Sequence, residues 1–228
     1  MRNLKTRIIT IEGIDGSGKT VQLDMLASRL SSLGFSVAVR GFPMYTSFFG
    51  EQIGSFLSGN GEIAATDVDQ KSMALWFALD RFDDFKDYVD GESDFLLINR
   101  YVLSNAVYQS IRDRDYDKPD IVDWVFELEY GKLSLPRPDL NIFLSVETDC
   151  AKKNVSKKGY RDYVGSGSDV YEKSRSLQQR ASDKYYELSE RFSDIEVVSC
   201  TENGEMRSVE AISDSVMALL EKRGLLDR

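Results

Sequence analysis

The block "GIDGSGKT", Gly13 to Thr20, follows the apolar run "RIITIE" directly and constrains the chain more than any other stretch. Its spacing is G-x-x-x-x-G-K-[ST], carried by Gly13, Gly18, Lys19 and Thr20. Glycines let the backbone wrap around phosphates with its N–H groups turned inward, and a helix starting near Lys19 adds the positive end of its dipole. Lys19 is placed to reach the β- and γ-phosphates, and the Thr20 hydroxyl to meet magnesium. The nucleotide cradle is therefore expected at Gly13, Asp15, Gly16, Ser17, Gly18, Lys19 and Thr20. A loop of this kind implies a polyphosphate ligand and leaves open whether the phosphoryl group goes to water or to a second substrate.

The rest of the pattern alternates strands with helices. "SVAVRGF" reads as a second strand, and "FLLIN", "LNIFLS" and "IEVVS" as short apolar runs of the kind buried on both faces. Between them the spacing predicts amphipathic helices: Thr20 onward, ended by Gly34; about 65–89; 171–192; and 208–223. The expected fold is α/β, a three-layer α/β/α arrangement with a parallel five-stranded sheet, the fold of P-loop nucleoside triphosphate hydrolases. The 228 residues suit one well-packed domain, 1–228, without linker or repeat. "GYRDYVGSGSD" reads as a surface loop inside it, within a lid at about 156–170.

Composition removes several chemistries. There is no histidine, so imidazole acid–base catalysis and His-ligated metals are excluded. Cys150 and Cys200 are far apart and form no metal-spaced pair, which leaves a hard oxygen-liganded ion such as Mg2+. A net charge of −9 argues against nucleic acid as a partner. No apolar run is long enough for a membrane span, and the protein is expected to be cytoplasmic.

On that acidic background, local cations stand out. Two unit negative charges 5 Å apart repel by roughly 3 kcal/mol at an effective dielectric near 20. Transfer between two phosphates therefore needs several positive groups. Arg100 follows "FLLIN" immediately, at the strand end where ligands collect. Arg81 lies one helical turn after Phe77, a spacing suited to a stacking ring and a base-edge donor; a surface ion pair with Asp80, Asp83 or Asp84 is the plainer alternative. Lys157, Lys158 and Arg161 in "SKKGYRDY" are either a solvated patch or a cationic flap over the transferring group.

Together these stretches resemble the thymidylate kinase family of nucleoside monophosphate kinases. The resemblance is carried by "IEGIDGSGKTVQ", "FPMY", "FALDR", "NRYVLSNAVYQ", "LPRPDLNIFLSV" and "DVYEKSRSLQQR", in the family's order along most of the chain. It implies transfer of the γ-phosphoryl of MgATP to dTMP. It further implies that Arg100 holds the acceptor phosphate, with Phe42 and Tyr45 in the acceptor-phosphate loop. Phe77 would stack on thymine and Arg81 donate to its edge, with Asn105 and Gln109 nearby. Tyr108 would crowd the ribose 2′ position, and Tyr171 would line the sugar region. Asp15, Thr20 and Glu172 would serve the metal, with Asn99 acting through water. Cations in the lid and none in the phosphate loop are similar to the bacterial-type arrangement, and a homodimer is implied.

Two departures from the family pattern matter. Asn99 stands where the family commonly has Asp, which removes a charge near the metal, and Met44 stands where relatives often carry arginine. A kinase for another pyrimidine nucleotide is the near alternative. A nucleotide-binding regulatory module with a degenerate site, suggested by Asn99, is the distant one.

Overall fold

The computed structural model describes residues 5–59, 62–112, 120–155 and 175–227. Five parallel strands form the sheet: β1 (Arg7–Glu12), β2 (Val37–Gly41), β3 (Phe95–Asn99), β4 (Leu140–Ser145) and β5 (Ile195–Ser199), in the order β2-β3-β1-β4-β5. Phe95 to Ile98 and all of β4 are buried, as continuous apolar strands require. A two-strand ribbon, β6 (Thr201–Glu202) and β7 (Glu205–Met206), follows the sheet. The sequence reading did not foresee it.

Helices cover the sheet. α1 (Lys19–Ser32) packs against β1, β2 and β3 and against α8 (Val209–Lys222), which also meets β5. A second group comprises α2 (Phe48–Ser58), α3 (Gln70–Phe85), α4 (Val102–Arg112), α5 (Val122–Phe126), α6 (Thr148–Val155) and α7 (Arg175–Arg191). Within it α4 is central, touching α3, α5 and α7. Tyr185 of α7 stacks on Phe143 of β4 with ring centroids 4.7 Å apart, fixing that layer to the sheet. This is the three-layer α/β fold expected from the alternating pattern.

Local signals explain most element ends. Gly34 has φ +85° just past α1, the left-handed stop its residue type favours. The helix expected over 65–89 divides instead: Ala65–Asp67 is a short 3-10 turn, and Asp69 restarts the chain by capping the N–H groups of Lys71 and Ser72. After α5 the chain continues as a π-helical segment, Glu127–Lys132. Both cysteines are free and buried, and burial pushes the Cys200 thiol up to about 12.

Strand order and register position the site. β1 lies between β3 and β4, so the chain turns outward in both directions from it, and a crevice opens at the carboxyl ends. Ile11 is level with Asn99, and Asn99 with Gly41. The phosphate loop, the Asn99–Arg100 corner and the Phe42–Tyr45 loop therefore leave adjacent strands at the same height, about 4.8 Å apart.

Candidate active site

The phosphate loop leaves β1 at Gly13 and enters α1 at Lys19, with φ of +142°, +84° and +87° at Gly13, Gly16 and Gly18. Gly16 lies against α6, where a Cβ would come 2.1 Å from the Ala151 carbonyl oxygen. Asn154 of the same helix donates to the Gly16 carbonyl at 3.0 Å. Lys19 is folded back into the loop, its Nζ donating to the carbonyls of Gly13 (3.0 Å) and Ile14 (2.7 Å). The Ser17 hydroxyl is buried without a partner among the described residues. These are the contacts of a preformed cradle whose lysine is ready to exchange carbonyls for phosphate oxygens.

Asp15 leans from the loop to Arg100. Its carboxylate pairs with Arg100 Nη2 and accepts from Gln178 Nε2 at 3.0 Å. Gln178, on α7, also accepts through Oε1 from the Asp15 backbone N–H (3.1 Å) and from the Tyr108 hydroxyl (3.2 Å). The Arg100 guanidinium lies 5.4 Å from the Tyr108 ring centre. Burial opposes its charge, and Asp15 first, then Tyr108, Tyr185 and Glu12, together outweigh it and hold the group well above its ordinary range. One side chain therefore joins the phosphate loop to the corner after β3.

That corner is built on Glu12. The buried Glu12 carboxylate accepts from the Tyr101 N–H (2.7 Å), the Ser104 hydroxyl and the Tyr185 hydroxyl (3.2 Å). Burial raises its pKa; the bonds from Ser104 and Tyr101, and the charges of Arg100 and Lys19, pull it back. Arg100 has φ +62°, and its own N–H donates to the Ile11 carbonyl at 3.1 Å. Next to it, Asn99 Nδ2 approaches the exposed Thr20 hydroxyl at 3.4 Å, while Asn99 Oδ1 is buried with no partner among the described residues. An orphaned amide oxygen beside the phosphate-loop threonine fits an acceptor for a metal-bound water. Among the described residues no three His, Cys, Asp or Glu converge on one point.

Further along the crevice, Asp80 ties the Phe42–Tyr45 loop to α3, accepting from Met44 N (2.9 Å) and Ser47 Oγ (2.7 Å). Phe42 itself is buried between Phe85 and Tyr101, while Tyr45 is half-buried. Phe77 is partly buried against the core and pairs with no other ring among the described residues. The surface ion pair weighed for Arg81 does not form. Its partner is the buried Glu129, at 2.6 and 2.7 Å, while Asp83 and Asp84 pair with Lys86 and Arg40. Asn105 donates to Glu129 and to the Ala74 carbonyl. Gln109 is turned aside, its side-chain oxygen accepting from Arg112 at 2.9 Å. Lys157, Lys158, Arg161, Tyr171, Glu172 and the loop over 156–170 lie outside the described residues.

Comparison with known proteins supplies what geometry alone does not. The family model described as "Thymidylate kinase" matches residues 11–212. The chain belongs to the thymidylate kinase family. A thymidylate kinase from Mycobacterium tuberculosis (strain CDC 1551 / Oshkosh) is 33% identical over 187 residues, covering 80% of this chain and 85% of the relative. A probable thymidylate kinase from Methanocaldococcus jannaschii is 31% identical over 214 residues, covering 93% and 95%. The solved thymidylate kinase of Candida albicans shares the fold, with a TM-score of 0.73 at 20% identity over 98% of this chain and 94% of that one.

Three residues of this thymidylate-kinase site were not anticipated from sequence: Glu12, Glu129 and Gln178. Each lies in register with apolar neighbours that are buried. Gln178 precedes Ala181 and Tyr185 at helical spacing, and Glu129 follows Val122 and Val125. A polar residue on an apolar helical stripe is the signal that could have found Gln178 and Glu129, whereas Glu12 closes the apolar strand β1.

The two glycines of the cradle should respond differently to alanine. Gly18 has open space around its Cβ position, so Gly18→Ala meets only the left-handed strain of about 1–2 kcal/mol. Gly16→Ala must also displace the backbone of α6. Calorimetric titration with ATP should show about tenfold weaker binding for Gly18→Ala and none measurable for Gly16→Ala. Equal losses would mean that α6 does not brace the loop.

Proposed function

We propose that the chain transfers the γ-phosphoryl group of ATP to thymidine 5′-monophosphate, releasing ADP and dTDP. An oxygen of the acceptor phosphate attacks the γ-phosphorus as the bond to the β–γ bridging oxygen breaks. The acceptor is already ionised, so no general base is required, and the work is positioning and charge stabilisation. The observation that carries this reading is the Arg100 guanidinium, held by Asp15 one strand away from the phosphate loop. A site that only hydrolysed its nucleotide would have no second anion for that cation to hold.

Roles follow from placement. Lys19 and the loop N–H groups of Gly13 to Gly18 bind the donor phosphates. Arg100 takes the acceptor phosphate, and Tyr108, against both Arg100 and Gln178, narrows the sugar side. Phe77 and Arg81 serve the base. Mg2+ would be held by the Thr20 hydroxyl and Asp15, with Asn99 Oδ1 accepting from a bound water; when bound it supplies neutralising charge across the phosphates. On sequence grounds Glu172 joins that group, and Lys157, Lys158 and Arg161 add cations over the transferring phosphoryl. We further read the chain as one cytoplasmic kinase domain acting as a homodimer, without a nucleic-acid partner.

The test is product analysis across the common nucleoside monophosphates with MgATP. dTDP should form in preference to other diphosphates. ATP and dTMP binding without dTDP formation would favour the regulatory module that Asn99 suggests.

Two variants probe the assignments. Arg100→Ala should lower kcat/KM for dTMP by at least about a hundredfold, in line with loss of a charged transition-state donor, and leave ATP affinity nearly unchanged. Unaltered turnover would remove Arg100 from the acceptor site. Asn99→Asp should raise turnover at limiting magnesium by up to about tenfold, since outer-shell groups tune metal affinity on that scale. A flat response across a magnesium titration would assign metal placement to other groups.

A further inference from the structure

The buried trio Arg81, Asn105 and Glu129 carries more than ion pairing. Arg81 is 2% exposed, Asn105 3% and Glu129 0%. Glu129 Oε1 accepts from Arg81 Nη2 at 2.7 Å and from Asn105 Nδ2 at 2.8 Å, and Oε2 accepts from Arg81 Nε at 2.6 Å. The second Asn105 N–H goes to the Ala74 carbonyl at 3.0 Å. Both amide hydrogens are therefore used, and both on protein oxygens.

That fixes which way the amide faces. Turning Asn105 over would set its oxygen against the Glu129 carboxylate and the Ala74 carbonyl, two acceptors with no hydrogen between. The orientation follows from the partners. It leaves Asn105 Oδ1 as a buried acceptor without a donor among the described residues, a costly state unless something supplies one. Beside it Arg81 has given Nε and Nη2 to Glu129, and its Nη1 makes no hydrogen bond among the described residues.

We propose that Glu129 is a positioning residue for nucleobase choice: it locks Asn105 with its oxygen, and Arg81 with its remaining N–H, toward a 4-oxopyrimidine. Such a base offers an acceptor at O4 and a donor at N3–H, complementary to this pair. Cytosine presents a donor at N4 and an acceptor at N3, the reverse pattern. This deepens the proposed dTMP kinase reading and rests on it. A carboxylate suits the task because it accepts from both neighbours at once. Glutamine would turn a donor toward one of them and free the Asn105 amide to rotate.

The experiment uses the full chain, with Glu129→Gln compared to the wild type. Calorimetry gives dTMP and dCMP affinities, and kinetics gives kcat/KM for both. The wild type should prefer dTMP by about a hundredfold, the discrimination expected of a good two-point base contact. Glu129→Gln should narrow that ratio to within about tenfold, mainly through KM, with ATP affinity unchanged. An unchanged ratio overturns the proposal, including the case where both nucleotides weaken equally, as simple destabilisation would cause. If Glu129→Gln does not fold, Asn105→Ala keeps the Arg81–Glu129 pair and should narrow the ratio likewise; a preserved ratio again overturns it. A wild type that binds dTMP but forms no dTDP overturns the kinase reading, while its binding ratio still reports on Glu129. A wild type that binds neither nucleotide overturns both.

Discussion

The contact between Asp15 and Arg100 is the constraint on which the site depends. It joins the loop after β1 to the corner after β3, two segments brought level by the parallel register of Ile11 with Asn99. Without a counter-charge, a partly buried guanidinium would be expensive. Gln178 completes the link, giving its amide hydrogen to Asp15 and its oxygen to Tyr108 and the Asp15 backbone. Under the proposed reading, an incoming acceptor phosphate would share Arg100 with Asp15, whose carboxylate already orients the arginine.

The corner that carries Arg100 is itself held under strain. A left-handed non-glycine residue costs about 1–2 kcal/mol. It persists because the residues on either side are pinned: Arg100 N–H to Ile11, and Tyr101 N–H to Glu12. Glu12 thus does for the backbone what Asp15 does for the side chain. Its three donors come from α4, α7 and the start of α4's own turn, so the packing of those helices and the angle of Arg100 are set together.

Much of this was legible in the sequence where a single local rule decides the outcome. β3 and β4 are continuous apolar runs because both their faces are covered, and the phosphate loop needs its glycines at fixed spacing. α2 was not foreseen. Its "FFGEQIGSFLS" carries two glycines that weaken a helix, but Gly50 is there because a Cβ would come 1.8 Å from the Met44 carbonyl oxygen. Glu129 was hidden for a related reason. In "FELEYGK" it looks like one more solvated acid, and its burial depends on Arg81, 48 residues away. Arg81 was placed correctly on a helix face with Phe77, yet its partner could not be read from its own neighbourhood.

The asparagine at 99 is intelligible within this charge arrangement. Around the phosphate loop, Lys19 and Arg100 face Glu12 and Asp15, two cations against two carboxylates. A third carboxylate at 99 would leave the empty crevice with an excess negative charge beside Thr20, which a metal ion would have to balance before any nucleotide arrived. With an amide there, the charges balance unaided, and Oδ1 still offers a lone pair to a coordinated water. Under the proposed reading, Mg2+ would then enter with the nucleotide that carries it, and dependence on free magnesium would lie with the phosphate chain, as suits an ion that dehydrates reluctantly and prefers phosphate oxygens.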